Sequence, residues 1–205
     1  DLLAFVGDGI NDAPVLSRAE FLGQVMAGYP SSIAVAGTHG KTTTTSMLSH
    51  ILTGAGLDPT VNVGGILKSI GGNIRLGSHD MFLAEACEYT NSFLNFFPRY
   101  SIILNIEADH LDFFKDLDDI RHSFRLFARK LPKDGLLVIN GEIPQLEYFM
   151  EDLPCRNVVT FGRDGGDYDY SAADVVFDEM GCPSFTLIKN GEAQDRVGEG
   201  RPGLG

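Results

Sequence analysis

Lys41, Thr42, Glu85 and His110 are the residues whose types and spacing could handle a phosphorylated ligand. The stretch Ser32–Ser46 reads SIAVAGTHGKTTTTS. An apolar run, Ile33–Ala36, leads into Gly37-Thr38-His39-Gly40-Lys41-Thr42-Thr43, and a periodic stretch with Met47, Leu48, Ile51 and Leu52 follows. Strand, glycine loop, helix is the order a phosphate-binding loop needs. The glycines let backbone N–H groups approach phosphate oxygens. The amino end of the following helix adds partial positive charge, and Lys41 adds a full one. Thr42 places a hydroxyl where a phosphate-bound Mg²⁺ takes an oxygen ligand. The loop is the short form G-x-x-G-K-T, with Val35 standing where the longer pattern carries its first glycine. A glycine turn before a helix with an incidental lysine is the plainer alternative.

Two more reactive groups fall at the ends of apolar runs. Met81–Ala84 runs into Glu85-Ala86-Cys87-Glu88, and Ser101–Leu104 runs into Asn105 and then Asp109-His110-Leu111-Asp112. In open parallel sheets the ligand site gathers at the carboxyl ends of the strands. A carboxylate, an imidazole and a threonine hydroxyl converging there could hold one or two Mg²⁺ ions. The plainer readings are a loop-capping carboxylate for Glu85 and a solvated imidazole for His110. Cys87 has no paired histidine and is expected to be inert packing near the site. Phe93, Phe96, Phe97, Phe113 and Phe114 are expected in the core.

The elements that must position these groups follow from pattern. Ser17–Met26 reads as a helix, with Ser17 as N-cap and Glu20 completing a capping box. The helix after the loop runs to about Thr53, where Gly54–Pro59 ends it. Val61–Gly77 is glycine-rich and is expected to be a mobile loop with one short strand. Asp118–Lys130 carries Ile120, Phe124 and Phe127 on one helical face. Leu136–Ile139 and Asn157–Phe161 read as strands around a short helix at Pro144–Met150. This alternation predicts an α/β fold, a mostly parallel, doubly wound sheet. Ala173–Phe177, Ser184–Lys189 and Gln194–Val197 read as a small antiparallel annex. The expected division is an N-terminal segment and linker over 1–30, a P-loop core over 31–166, the small β unit over 167–198 and a frayed tail over 199–205.

Composition sets the bounds. The 205 residues are 43% hydrophobic, enough for a real core, and carry a formal net charge of −12. An acidic surface argues against nucleic acid or an anionic membrane as the main partner. Three cysteines, with no C-x-x-C pair, suggest neither a zinc knuckle nor a disulfide framework. A reduced, cytoplasmic setting fits. No apolar run reaches membrane-spanning length.

Three segments in order, GTHGKTTTTS, LAEACEYTNSFL and NIEADHLDFF, resemble the central ATPase domain of the Mur ligases. The resemblance runs from about Pro14 to about Val197, and PVLSRAEFLGQVM is similar to the linker into that domain. It implies that ATP phosphorylates a substrate carboxylate and that an amino acid's amine attacks the acyl phosphate. Lys41 would contact the transferred phosphoryl group, Thr42 and Glu85 would hold one Mg²⁺, and His110 would serve a second. The phosphates would lie on Gly37–Thr43, with Asn105 beside them. EACEYTNSF followed by NIEADH is most similar to the members that join L-alanine to UDP-N-acetylmuramate in peptidoglycan precursor synthesis. The family's UDP-binding domain, its carboxyl-terminal domain and its H-N-x-x-N segment have no counterpart here, so a fragment or chimera is expected. Many members carry a modified lysine after the histidine motif. Here that helix has Arg121 and Arg125, and no such residue is assigned. Val6–Pro14, VGDGINDAP, resembles the hinge motif of P-type cation pumps, but no D-K-T-G aspartyl nucleophile accompanies it. A pump phosphorylation-domain fragment and a nucleotide-binding module without turnover are the alternatives.

Overall fold

A parallel strand covered on both faces must be apolar at consecutive positions, and Ile33-Ala34-Val35-Ala36 meets that demand. In the computed structural model, which describes residues 16–78 and 80–198, these residues lie in β1 (Ser31–Ala36). The pump-like stretch at 6–14 lies outside the described residues, as does Val6. A helix, α1 (Arg18–Ala27), precedes β1. Then follow α2 (Lys41–Gly54), β2 (Thr60–Leu67), β3 (Gly72–Arg75), β4 (Met81–Glu85) and β5 (Tyr100–Ile103). Next come α3 (Leu117–Ala128), β6 (Leu136–Asn140), α4 (Glu147–Met150) and β7 (Asn157–Arg163). The last three strands are β8 (Tyr170–Phe177), β9 (Pro183–Lys189) and β10 (Glu192–Val197).

The ten strands among the described residues form one sheet, in the order β10-β9-β8-β7-β6-β5-β1-β4-β2-β3. The pairs from β2 through β4, β1, β5 and β6 to β7 are parallel. Val35, Leu83, Ile103 and Val138 therefore share the parallel part, as the pattern predicts. The chain winds outward from β1 first toward β2 and then back across toward β7. The reversal opens a crevice at the carboxyl ends of β4, β1 and β5.

Strand periodicity sorts the core onto two faces. Ala34, Ala36, Phe82 and Ala84 join one buried cluster, which Phe124 and Phe127 of α3 complete. Val35 and Leu83 point the other way, against Leu48 and Leu52 of α2. Phe93 ties the first cluster together, stacked on Phe127 with ring centres 4.7 Å apart and edge-on to Phe124. Phe93, Phe96 and Phe114 are buried as expected, but Phe97 and Phe113 are about half exposed. Phe97 lies in the loop before β5 with the Lys130 ammonium 4.8 Å from its ring centre, and Phe113 lies in a turn before α3.

Helix starts follow their side chains. Ser17 accepts from Glu20 N at 3.2 Å while Ser17 N donates to Glu20 Oε2 at 2.7 Å, the reciprocal box read in the sequence. At α3, Asp116 accepts from Asp119 N at 2.9 Å. Ile120, Ser123, Phe124, Phe127 and Ala128 then form its buried stripe.

Two expectations are corrected. Residues 61–77 are not a mobile loop. They form most of β2, a 3-10 turn at Lys68–Ile70 and β3. The glycines end no strand because tertiary pairing decides: Thr60–Asn62 lie beside Phe82–Ala84 of β4, and β3 closes the edge. The C-terminal strands are antiparallel, but they are not a separate unit. β8 pairs in parallel with β7 over Phe161–Arg163 and continues the sheet. The junction is pinned by Asp169, whose Oδ2 accepts from Thr160 N at 2.7 Å and from Thr160 Oγ1 at 2.9 Å. Beside it the Tyr168 ring lies in a slot walled by glycines. A Cβ placed on Gly141, Gly162 or Gly166 would stand 2.4, 2.2 or 2.0 Å from that ring.

Candidate functional site

The loop after β1 is shaped by two glycines. Gly40, the residue before α2, has φ +83°, a left-handed conformation that glycine adopts without strain. No side chain caps this helix, so its first-turn amides are not taken by a capping residue. Gly37 lets the loop lie against the next strand's exit, where a Cβ would stand 2.9 Å from Leu104 Cβ. Asn105 fastens the loop from that side: its Oδ1 accepts from His39 N at 2.8 Å and its Nδ2 donates to His39 O at 3.0 Å. Thr38 Oγ1 accepts from Glu107 N at 2.9 Å. His39 itself projects into solvent, 3.7 Å from Glu107.

Lys41, at the first position of α2, folds its ammonium back into the loop. Nζ donates to Gly37 O at 2.5 Å, to Thr38 O at 3.1 Å and to Glu88 Oε1 at 3.1 Å. One turn edge away, Thr42 Oγ1 lies 2.9 and 3.1 Å from the two Glu85 carboxylate oxygens. Glu85 Oε2 also accepts from Gly64 N at 2.7 Å. His110, at the far side, has φ +52°, a strained conformation for a side chain of this size. Its Nε2 is 3.7 Å from Glu88 Oε1, and its ring packs on Tyr89 at 4.6 Å.

The crevice thus brings Gly37–Thr43, Glu85, Asn105 and His110 to one sheet edge. Two open cavities flank Glu85. One, of about 390 Å³, is lined by the loop residues 38–43 and Glu85. The other, of about 400 Å³, lies under α1 and is lined by Arg18, Asn62, Gly64, Glu85, Cys87 and Tyr89 among others. Cys87 is exposed there, not packed. Desolvation of its thiol, with the nearby Glu88 and Glu85 charges adding to it, holds that thiol above its ordinary value. Tyr89 donates to Asp112 Oδ2 at 2.9 Å, and that carboxylate raises the phenol.

Among the described residues no three His, Cys, Asp or Glu side chains gather as a ready-made metal cluster. Thr42 and Glu85 instead offer adjacent hard oxygens on the wall of the loop cavity. That donor set fits Mg²⁺, which takes one or two protein oxygens and completes its shell with phosphates and water.

Three contributors escape a residue-by-residue reading of the sequence. Glu88 is buried behind Lys41, Gly64 donates to Glu85, and Tyr89 buttresses His110. The spacing of Glu85 and Glu88 across a strand end was the only local signal for the first of these. No helix among the described residues is long and apolar enough to cross a membrane.

Residues 35–198 match the family described as Mur ligase middle domain. The chain is 59% identical over 191 residues to a UDP-N-acetylmuramate–L-alanine ligase of Lachnospira eligens, covering 93% of this chain and 41% of that protein. It superposes with a TM-score of 0.76 on a UDP-N-acetylmuramate:L-alanyl-γ-D-glutamyl-meso-diaminopimelate ligase of Neisseria meningitides, at 32% identity over 90% of this chain and 60% of the other. With a UDP-N-acetylmuramate–alanine ligase of Thermotoga maritima the TM-score is 0.70, at 28% identity, covering 87% of this chain and 38% of that one.

Proposed function

The chain belongs to the Mur ligase family as a middle domain, and from that premise we propose that it is the ATP-binding part of a ligase joining L-alanine to UDP-N-acetylmuramate. It spans 41% of the length of its Lachnospira relative, so the whole reaction is read from the relative's name and from this site. The chemistry would be stepwise. A carboxylate oxygen takes the γ-phosphoryl group of ATP and ADP leaves; the alanine amine then attacks the acyl carbon, and phosphate and a proton depart.

The observation that carries the reading is the convergence of Lys41, Thr42 and Glu85 on one cavity at the switch point of the sheet. The loop amides and Lys41 would bind the phosphates. Asn105 holds the loop backbone in shape for them. Thr42, Glu85 and, for a second ion, His110 would hold Mg²⁺, which when bound neutralises charge developing on the transferred phosphoryl group. Glu85 forms a wall of both cavities, so a phosphate donor on one side and an acceptor carboxylate under α1 would meet at it. Positioning of this kind supplies about 7–11 kcal/mol of barrier lowering when every reactant has a site. A cytoplasmic setting accords with the substrates named for the relatives.

The test is calorimetric titration of ATP, with and without Mg²⁺, into the chain and its Lys41→Ala variant. Loss of the lysine is expected to weaken binding by more than about 1.5 kcal/mol, because charge-assisted contacts to phosphate are the strong kind. Equal binding by both proteins would overturn the proposal.

A further inference from the structure

Glu88 is 2% exposed, and the chemistry proposed above does not use it. A carboxylate so far from water needs a cation and donors to stay there. Its cation is Lys41, whose Nζ donates to Oε1 at 3.1 Å and lies 2.9 Å from Oε2. The same ammonium donates to the carbonyls of Gly37 and Thr38. An ammonium has three N–H bonds, so these three acceptors use all of them. On its other side Glu88 Oε1 faces His110 Nε2 at 3.7 Å, while Oε2 is buried with no hydrogen bond of its own. Tyr89, the next residue, packs against the site's imidazole and is itself tied to Asp112.

We infer that Glu88 is an internal counter-anion, a positioning residue that competes with nucleotide phosphate for the Lys41 ammonium while tying Lys41 to His110. The inference rests on reading the loop as a phosphate binder. A phosphate oxygen reaches Lys41 only by displacing one of its three acceptors. The neutral carbonyls of Gly37 and Thr38 yield more readily than a carboxylate, because hydrogen bonds between ions are the stronger. The ammonium then turns about Glu88 and does not leave it. Two anions beside one ammonium also oppose each other, so Glu88 sets nucleotide affinity below what the loop alone would give. In return the ammonium keeps a fixed place relative to His110.

The test compares the chain with its Glu88→Gln variant, which keeps the shape and removes the charge. Proton exchange of the Lys41 ammonium is read in ¹H–¹⁵N spectra of lysine side chains, with the signal assigned by its loss in Lys41→Ala. A slowly exchanging Lys41 signal is expected, and exchange at least about tenfold faster in Glu88→Gln, as for a donor released from a buried acceptor. Calorimetry should show Mg·ATP binding about three- to tenfold tighter in Glu88→Gln, since a like charge has been removed beside the phosphates. A merely structural glutamate predicts the opposite sign, because a loosened loop binds nucleotide worse. Absence of a protected Lys41 signal, unchanged exchange in the variant, or binding no tighter than that of the parent chain would each overturn the inference. If the parent chain binds no Mg·ATP at all, the phosphate-binding reading fails, and the exchange rates alone still decide whether Glu88 holds Lys41. Should Glu88→Gln not fold, Glu88→Asp keeps the charge but shortens the reach, and faster Lys41 exchange is again required.

Discussion

A single added carbon at Gly64 reports on Glu85 without touching it chemically. A Cβ there would stand 2.8 Å from both Glu85 carboxylate oxygens. The obstacle is the far end of a flexible side chain, so the carboxylate swings aside and the backbone need not move. Gly64→Ala is therefore expected to fold normally while separating Glu85 from Thr42. The Mg²⁺-dependent part of ATP binding should weaken about tenfold, or about 1.4 kcal/mol, with the Mg²⁺-independent part unchanged. Titrations with and without Mg²⁺ give the two parts, and an undiminished Mg²⁺ effect would remove Glu85 from the metal's partners. The same residue marks a limit of sequence reading. The phosphate loop is legible because its strand, glycines, lysine and helix are consecutive, so local rules suffice. Gly64 and Glu88 act on partners 21 and 47 residues away, and only the folded sheet brings those pairs together.

At the scale of elements, α1 is held at its start by the reciprocal bonds of Ser17 and Glu20. Hydrogen bonds to its carboxylate from the Ser17 backbone N–H, first, and from the Ser17 side chain, second, hold the Glu20 carboxyl below the usual carboxylate range. A carboxyl depressed by folding contributes stability that is present above its unfolded value and lost as pH falls through its lower folded value. Glu20→Gln, which keeps the shape and removes the charge, should cost stability at neutral pH, and the cost should shrink as the solution is acidified below the ordinary glutamate range. Denaturant unfolding of both proteins across that range measures it; a pH-independent difference would show that the glutamate's charge contributes nothing. This helix was readable because its capping box and its length lie within one short segment. The hairpin of β2 and β3 was not, because Gly64-Gly65 and Gly71-Gly72 look like breaks until β4 supplies a neighbour. Likewise the antiparallel pattern of β8–β10 was visible locally, whereas their attachment to β7 depends on a pairing of only Phe161–Arg163 with Tyr170–Ala172.

For the whole molecule, that attachment divides one sheet into parts of unequal strength. The centre of β4 and the second half of β1 are buried on both faces, while no residue of β8, β9 or β10 is buried. We propose 167–198 as the unit that opens first. Amides of β9 and β10 should exchange through an opening about 2–3 kcal/mol less costly than that of β1 and β4, as expected where few apolar contacts hold a segment. Hydrogen exchange resolved by residue tests this, and equal protection across the ten strands would refute it. Beside the Asp169 bonds that pin this junction lies the Tyr168 ring, seated where a Cβ on any of three glycines would stand. The consequence is one for lineage. A side chain at Gly141, Gly162 or Gly166 would have to displace the Tyr168 ring, so these positions are expected to vary together with it. Across a lineage these four codons are expected to behave as one character, and a set of relatives in which the glycines change freely beside an unchanged tyrosine would refute it.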